Sequence, residues 1–292
     1  MSNTDQATAH ARDPASRARE TVRGPRAQVQ ATTFERGSRA HRRTFAWVTT
    51  LLLIVLVCFL DGSWVAARFA HGQWVSNALM IAFFAWMYRG AAPRLRALMK
   101  YGVFIAAAGE ALFSLVLGMY EYRLATIPLY VPPGHSVMVG AVYYFVRERS
   151  VIRHQKLIAL AMLLLSVAYA AFWLVTHNDL YGALCTGLFV VLIAREPESR
   201  MFFLTMFIFV GFLEQIGTGF SCWYWHDIAF AKFAWLPSGN PPSGISVFYF
   251  AFDVLCLMAY LRRRPELKRR SKALKARRSA AAAPGPRELA AS

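Results

Sequence analysis

Acidic residues are scarce in this chain: 16 Asp and Glu stand against 33 Lys and Arg in 292 residues, a formal charge of +17. Cysteine is rarer still. Cys58, Cys185, Cys222 and Cys256 are scattered, with no CxxC or zinc spacing, so neither a disulfide framework nor a structural metal is expected. The seven histidines form no HxxxH set of the kind that holds a membrane di-iron centre, and they are too dispersed for a paired haem site. A DxxxD pair for diphosphate–magnesium, a P-loop and a GxSxG elbow are also missing. No cofactor and no metal are therefore expected.

What the chain has in excess is apolar surface, at 57% hydrophobic residues. A soluble domain this apolar would expose more hydrophobic area than solubility tolerates. The basic excess does not point to nucleic acid, because of where it lies. Residues 1–43 and 262–292 hold 20 of the 33 basic residues against six acids, and the 218 residues between them carry only +3. Both segments are rich in Ala and Arg and punctuated by proline, a composition that predicts disordered tails. Runs such as Arg262-Arg263-Arg264 suit the anionic headgroups of a cytoplasmic leaflet, so membrane lipids are the expected partners. The first apolar run begins near Phe45, too late for a cleaved signal, and reads as a retained anchor.

Apolar runs of near-spanning length fall at about 45–61, 74–89, 101–119, 128–146, 157–176, 180–194, 201–221 and 242–261. With eight crossings and both ends inside, the inner side holds 30 basic residues. Only Arg68, Arg123 and Lys232 fall outside, as the positive-inside rule requires. The expected fold is all-α: a polytopic membrane protein of about eight transmembrane helices spanning 44–261, between two basic cytoplasmic tails.

Two stretches of this domain resemble each other. GEALFSLVLGMYEY followed by PLYVPPGHSVMVGAVYYFV parallels LEQIGTGFSCWYWHD followed by LPSGNPPSGISVFYFAFDV. Each has a glutamate (Glu110, Glu214), a tyrosine ten residues later (Tyr120, Tyr224), and a Pro-Pro pair opening the returning helix (Pro132-Pro133, Pro241-Pro242). Two parallel four-helix halves, about 44–147 and 156–261, follow from this duplication. Helical spacing would place Ser114 and Gly118 on the Glu110 face, and Gly217, Thr218 and Ser221 on the Glu214 face.

A bare carboxylate at membrane depth costs about 2–3 kcal/mol even on the lenient insertion scale, so both glutamates should face the bundle interior and find partners. A shared cavity would let one act as proton donor and the other as proton acceptor, the two roles that general acid–base catalysis needs. Glu110 and Glu214 are the candidate catalytic residues. Tyr120, Tyr122, His135, Trp223, Tyr224, His226 and Asp227 gather near the same outer mouth and are the candidate substrate-binding residues, with Glu121 beside them. An aromatic belt at the membrane boundary is the alternative account of the rings. Asp253, in the middle of the last span, reads either as a helix tie or as part of a proton path.

The segment GEALFSLVLGMYEYRLATIPLYVPPGH also resembles the carotenoid-biosynthesis membrane proteins of the bisanhydrobacterioruberin hydratase type. The matching residues are Glu110, Gly118, Tyr120, Tyr122, Pro128 and Pro132, while VPPGH stands where that family has an apolar stretch leading to tryptophan. The resemblance implies acid-catalysed hydration or cyclisation of a polyisoprenoid. Two other readings stay open: a proton-coupled transporter with two halves around buried acids, and a non-catalytic membrane assembly partner.

Overall fold

The computed structural model describes residues 25–262. The expected tails fall largely outside these residues; within them, the first helix, α1 (Pro25–Asp61), reaches back into the segment assigned to the N-terminal tail. The chain is mostly helical, and four helices are long and apolar enough to cross a membrane: Arg43–Asp61, Pro93–Val116, Gln155–His177 and Arg200–Gly219. Each of the other four apolar runs also contains a helix, of 15 to 19 residues.

In chain order the remaining elements are α2 (Ser63–Ala66), α3 (Gly72–Gly90), α4 (Pro93–Glu110) and a π-helical turn over Ala111–Val116. Strand β1 (Tyr120–Tyr122), α5 (Val131–Phe145), α6 (Arg149–Arg153), α7 (Gln155–His177), α8 (Leu180–Arg195) and α9 (Arg200–Gly219) follow. Strands β2 (Trp223–Trp225), β3 (Ile228–Ala229) and β4 (Phe233–Pro237) then lead to α10 (Val247–Arg262).

Proline sets two of these starts. Pro93 opens α4, and Pro132-Pro133 lie in the first turn of α5, where a missing N–H forfeits no helical bond. The second Pro-Pro pair behaves differently from the expectation: Pro241-Pro242 precede a turn, and α10 begins only at Val247. The reason is a close approach of backbones. A Cβ on Gly244 would sit 2.2 Å from the Gly182 carbonyl oxygen, so this segment lies flat against α8 before it can coil.

Side-chain exposure separates centre from rim. Over its most apolar stretch α9 is 56% buried, whereas α7 is 11% buried and turns Leu157, Leu164, Phe172 and Val175 outward. Helix α10 packs on α4, and α5 packs on α1, α4 and α9. Two serines make matching ties: Ser136 of α5 donates to the Met99 carbonyl of α4 (2.8 Å), and Ser246, just before α10, donates to the Phe207 carbonyl of α9 (3.0 Å).

Two short antiparallel ladders depart from the all-α expectation. The one that matters joins β1 to β2 in the register Tyr120↔Trp225, Glu121↔Tyr224, Tyr122↔Trp223. Its two strands follow the two glutamate-bearing helices, so the ladder brings both to one place. Gly118, at φ +60°, makes the turn that sends the chain from the π-turn into β1, a conformation that suits glycine. It and Ser221 (φ +59°) therefore lie beyond their helices rather than on the glutamate faces.

Candidate functional site

Glu110 is the last residue of α4, at the junction with the π-turn. Such turns insert an extra residue per helical repeat and recur at functional positions. Glu214 lies in the last third of α9. Both side chains are buried, and both line one cavity of about 70 Å³.

Strand alternation decides which aromatic rings join them. In a strand, successive side chains point to opposite faces, so Tyr120 and Tyr122 face inward together while Glu121 faces out. Trp223 and Trp225 likewise face inward, and Tyr224 faces out. Both tyrosine hydroxyls donate to Oε2 of Glu110, Tyr122 at 2.7 Å. Both indole N–H groups donate to Oε2 of Glu214, at 2.9 and 3.1 Å. The Tyr120 and Trp225 rings meet at 4.5 Å between centroids, closing the two cages against each other.

Hydrogen bonds to a charged group are worth about 1.5–3 kcal/mol each. Two per carboxylate therefore offset the insertion cost of about 2–3 kcal/mol. Burial, then the Glu110 carboxylate, push the phenols of Tyr120 and Tyr122 up, which keeps both as proton-bearing donors. Among the described residues the second oxygen of each glutamate, Oε1, has no hydrogen-bond partner. A glycine seats one cage: a Cβ on Gly217 would lie 2.0 Å from the Trp223 ring. Ser114 and Thr218 do not serve the carboxyls. They donate to the carbonyls of Tyr120 and Glu214.

Of the sequence candidates, Tyr120, Tyr122, His135 and Trp223 line the cavity with the two glutamates. Tyr224, His226 and Asp227 do not. They stand on the outer face of the ladder, where the Tyr224 hydroxyl donates to Asp227 Oδ1 (2.7 Å) and His226 Nε2 lies 3.7 Å from Glu121 Oε1. Asp227 holds the Tyr224 phenol up, first through that hydrogen bond. His135 is not at the mouth. It is buried in the first turns of α5, opposite Asp253 of α10.

Three further residues belong to the site or to its frame. Trp225 completes the Glu214 cage and is not among the sequence candidates, because a three-residue WYW is too short for its alternation to mark it. Asp61 ends α1, fully buried, and takes Arg123 (2.7 Å), the Tyr130 hydroxyl (2.8 Å) and Gln73 (3.2 Å). Asp179 caps α8 by accepting the N–H of Gly182 (2.9 Å), and it also accepts those of Gly239 (2.9 Å) and Ser243 (2.7 Å). Each aspartate thus fixes the approach to a returning helix. An Asp just before a Leu-Tyr-Gly helix start is a legible cap signal for Asp179; Asp61, at a helix C-terminus, has none.

No family profile, no curated protein and no solved structure matches this chain.

Proposed function

We propose that the chain is a polytopic membrane enzyme that uses Glu110 and Glu214 as acid and base on a lipid or polyisoprenoid, hydrating or cyclising it. One observation carries the reading: two carboxyl groups share a cavity walled by aromatic rings, each with one oxygen held by two donors and the other unbonded. Protonating a carbon–carbon double bond leaves a carbocation, and aromatic faces stabilise cations through their quadrupoles.

The difference between the cages supports different roles for the two carboxyls. Indole N–H groups only donate, so the Trp pair holds Glu214 Oε2 as an acceptor. Tyrosine hydroxyls both donate and accept, so the pair around Glu110 tolerates a proton on that carboxyl. Glu110 gives its proton to one alkene carbon, and the cation forms on the other. In hydration, water adds there and Glu214 takes the proton that water sheds. In cyclisation, a second double bond closes onto the cation and Glu214 removes a proton from the adjoining carbon. Return of that proton from Glu214 to Glu110 resets the site.

Eight membrane crossings with both ends on the basic side, and two parallel halves, belong to the same proposal. The 30-to-three partition of basic residues supports the crossings. The paired cages, the paired serines and the paired aspartates support the duplication. The resemblance around 109–135 supports the substrate class.

The test is a comparison of lipid extracts from cells carrying the chain and cells carrying Glu110→Gln. A product that differs from its precursor by one water, or by one ring at equal mass, is expected only with the former. Identical extracts would overturn the reading. Proton-coupled transport is the second reading, favoured by a further cavity at the opposite end of the bundle, where Arg94 and Arg147 lie. It predicts unchanged lipids and proton-dependent solute uptake.

A further inference from the structure

The buried pair of His135 and Asp253 has no part in the chemistry above. Its geometry is unlike that of a structural tie. His135 Nε2 and Asp253 Oδ1 are 3.9 Å apart, beyond hydrogen-bond distance. Both side chains are more than nine-tenths buried, and none of their four polar atoms has a hydrogen-bond partner. Such groups have lost their hydration and gained no partner, so buried polar atoms in this state call for an explanation.

Position supplies one. His135 lines the glutamate cavity, and Asp253 lines the second cavity, bounded by Arg94, Arg147 and Glu198 at the end where α4 and α9 begin. The two residues are where the walls of the two cavities meet. Tyr249, one helical turn before Asp253, stacks on the His135 ring (5.2 Å, 24°) and also lines the glutamate cavity. Phe252 meets the imidazole edge on at 5.4 Å, beside Tyr249.

We propose that His135 and Asp253 carry protons between the glutamate cavity and the arginine-lined cavity. Asp253 takes a proton from the arginine-lined side and passes it to His135 Nε2, across one bridging water or a small swing of the carboxyl. The imidazolium releases its other proton, on Nδ1, toward the Tyr249 hydroxyl and the glutamates, and a ring flip restores the starting tautomer. No atom is left in deficit, and no oxidant or reductant is required. The titratable and charged groups around the pair are Tyr249 and Cys256 on α10, Glu110 on α4, and Arg94, Tyr143, Arg147 and Glu198 around the second cavity.

The inference deepens the acid–base reading, because it connects the proton shared by Glu110 and Glu214 with the arginine-lined cavity. It does not depend on the substrate. The indoles of Trp223 and Trp225 sit on Glu214, so their emission reports a proton arriving there. The experiment is a stopped-flow pH jump on the full chain reconstituted in vesicles, with the pH changed only on the side of the arginine-lined cavity, following the part of the tryptophan signal that Glu214→Gln abolishes. A positioned proton-transfer group is worth about a hundredfold or more, so Asp253→Asn and His135→Gln should slow that signal at least about tenfold. Asp253→Glu should keep it near the native rate. Either neutral variant, eluting as a folded species and responding at the native rate, overturns the proposal. So does a native signal with no Glu214-dependent part. Lipid extracts that show no product would sink the enzyme reading and leave this route intact.

Discussion

The two glutamate cages occupy corresponding places but are built from different chemistry. Around Glu110 stand two phenols; around Glu214 stand two indoles, on the paired strand and in antiparallel register. Both sets satisfy a buried carboxylate equally in number. They differ in what happens when the carboxyl gains a proton. A phenol can rotate its hydroxyl and accept, whereas an indole N–H would be left facing a proton if one were placed on Oε2. Any proton on Glu214 must therefore sit on Oε1, while Glu110 can hold one on either oxygen. Two cages of this kind can thus give one carboxyl that stores a proton and another that receives one. In a self-complementary pair of identical cages the roles would be undirected.

The largest effect should come from the carboxyls themselves. Glu110→Gln and Glu214→Gln each keep size and hydrogen bonding but remove the transferable proton, so turnover should fall roughly a hundredfold or more. Folding should persist, since an amide oxygen can still accept from both donors. Chromatographic elution at the native position together with loss of the lipid product is the expected pair of readings.

Next in size is the glycine that seats one cage. Gly217→Ala places a methyl 2.0 Å from the Trp223 ring and must push the ring off Glu214. Overpacking of this kind costs about 1–3 kcal/mol. A lower thermal midpoint, accompanied by a shift of tryptophan emission, is expected; an unshifted emission would show that Trp223 is not held against the carboxyl.

Single tyrosines come third. Tyr122→Phe removes one of two bonds to Glu110 without opening space, a loss of about 0.5–1.5 kcal/mol in stability, or up to about 3 kcal/mol if the carboxyl is charged. The same substitution at Tyr224 should move the midpoint hardly at all, within about 0.5 kcal/mol, because that ring faces outward. Equal effects at both positions would contradict the inward–outward alternation.

The smallest effect is a titration. Tyr224 donates to Asp227, and its phenol is held up by that bond. A raised phenol favours folding while it keeps its proton; that contribution is lost as the pH climbs from the unfolded tyrosine's value through the folded one. Asp227→Asn should bring the Tyr224 phenol's alkaline absorbance change to lower pH and leave the cavity untouched.

Much of the frame was legible from the apolar runs: each contains a helix, and four of those helices are long and apolar enough to cross a membrane. The burial of both glutamates followed from the cost of an intramembrane charge. The strands did not, for a definite reason. YEY and WYW are three residues long, too short for alternation to stand out from an aromatic belt. Aligning Tyr120 with Tyr224 on a ten-residue spacing therefore matched an inward ring to an outward one. In β2, Trp223 and Trp225 face inward and Tyr224 outward, which brings Trp225 into the site and takes Tyr224 out of it. Position 247 as the start of α10 was hidden as well, since the constraint is a contact with Gly182 far away in sequence. His135 drew attention through VPPGH, but its partner lies more than a hundred residues on, and no local pattern links the two.

The central claim is that Glu110 and Glu214 work as one site, and a double-mutant comparison tests it most directly. The rate of lipid-product formation would be measured for Glu110→Gln, Glu214→Gln and the chain carrying both. Residues that act as a unit are strongly non-additive, so the double variant should be no slower than the worse single variant. Losses that multiply would mean that each carboxyl contributes independently, and would contradict a shared acid–base pair.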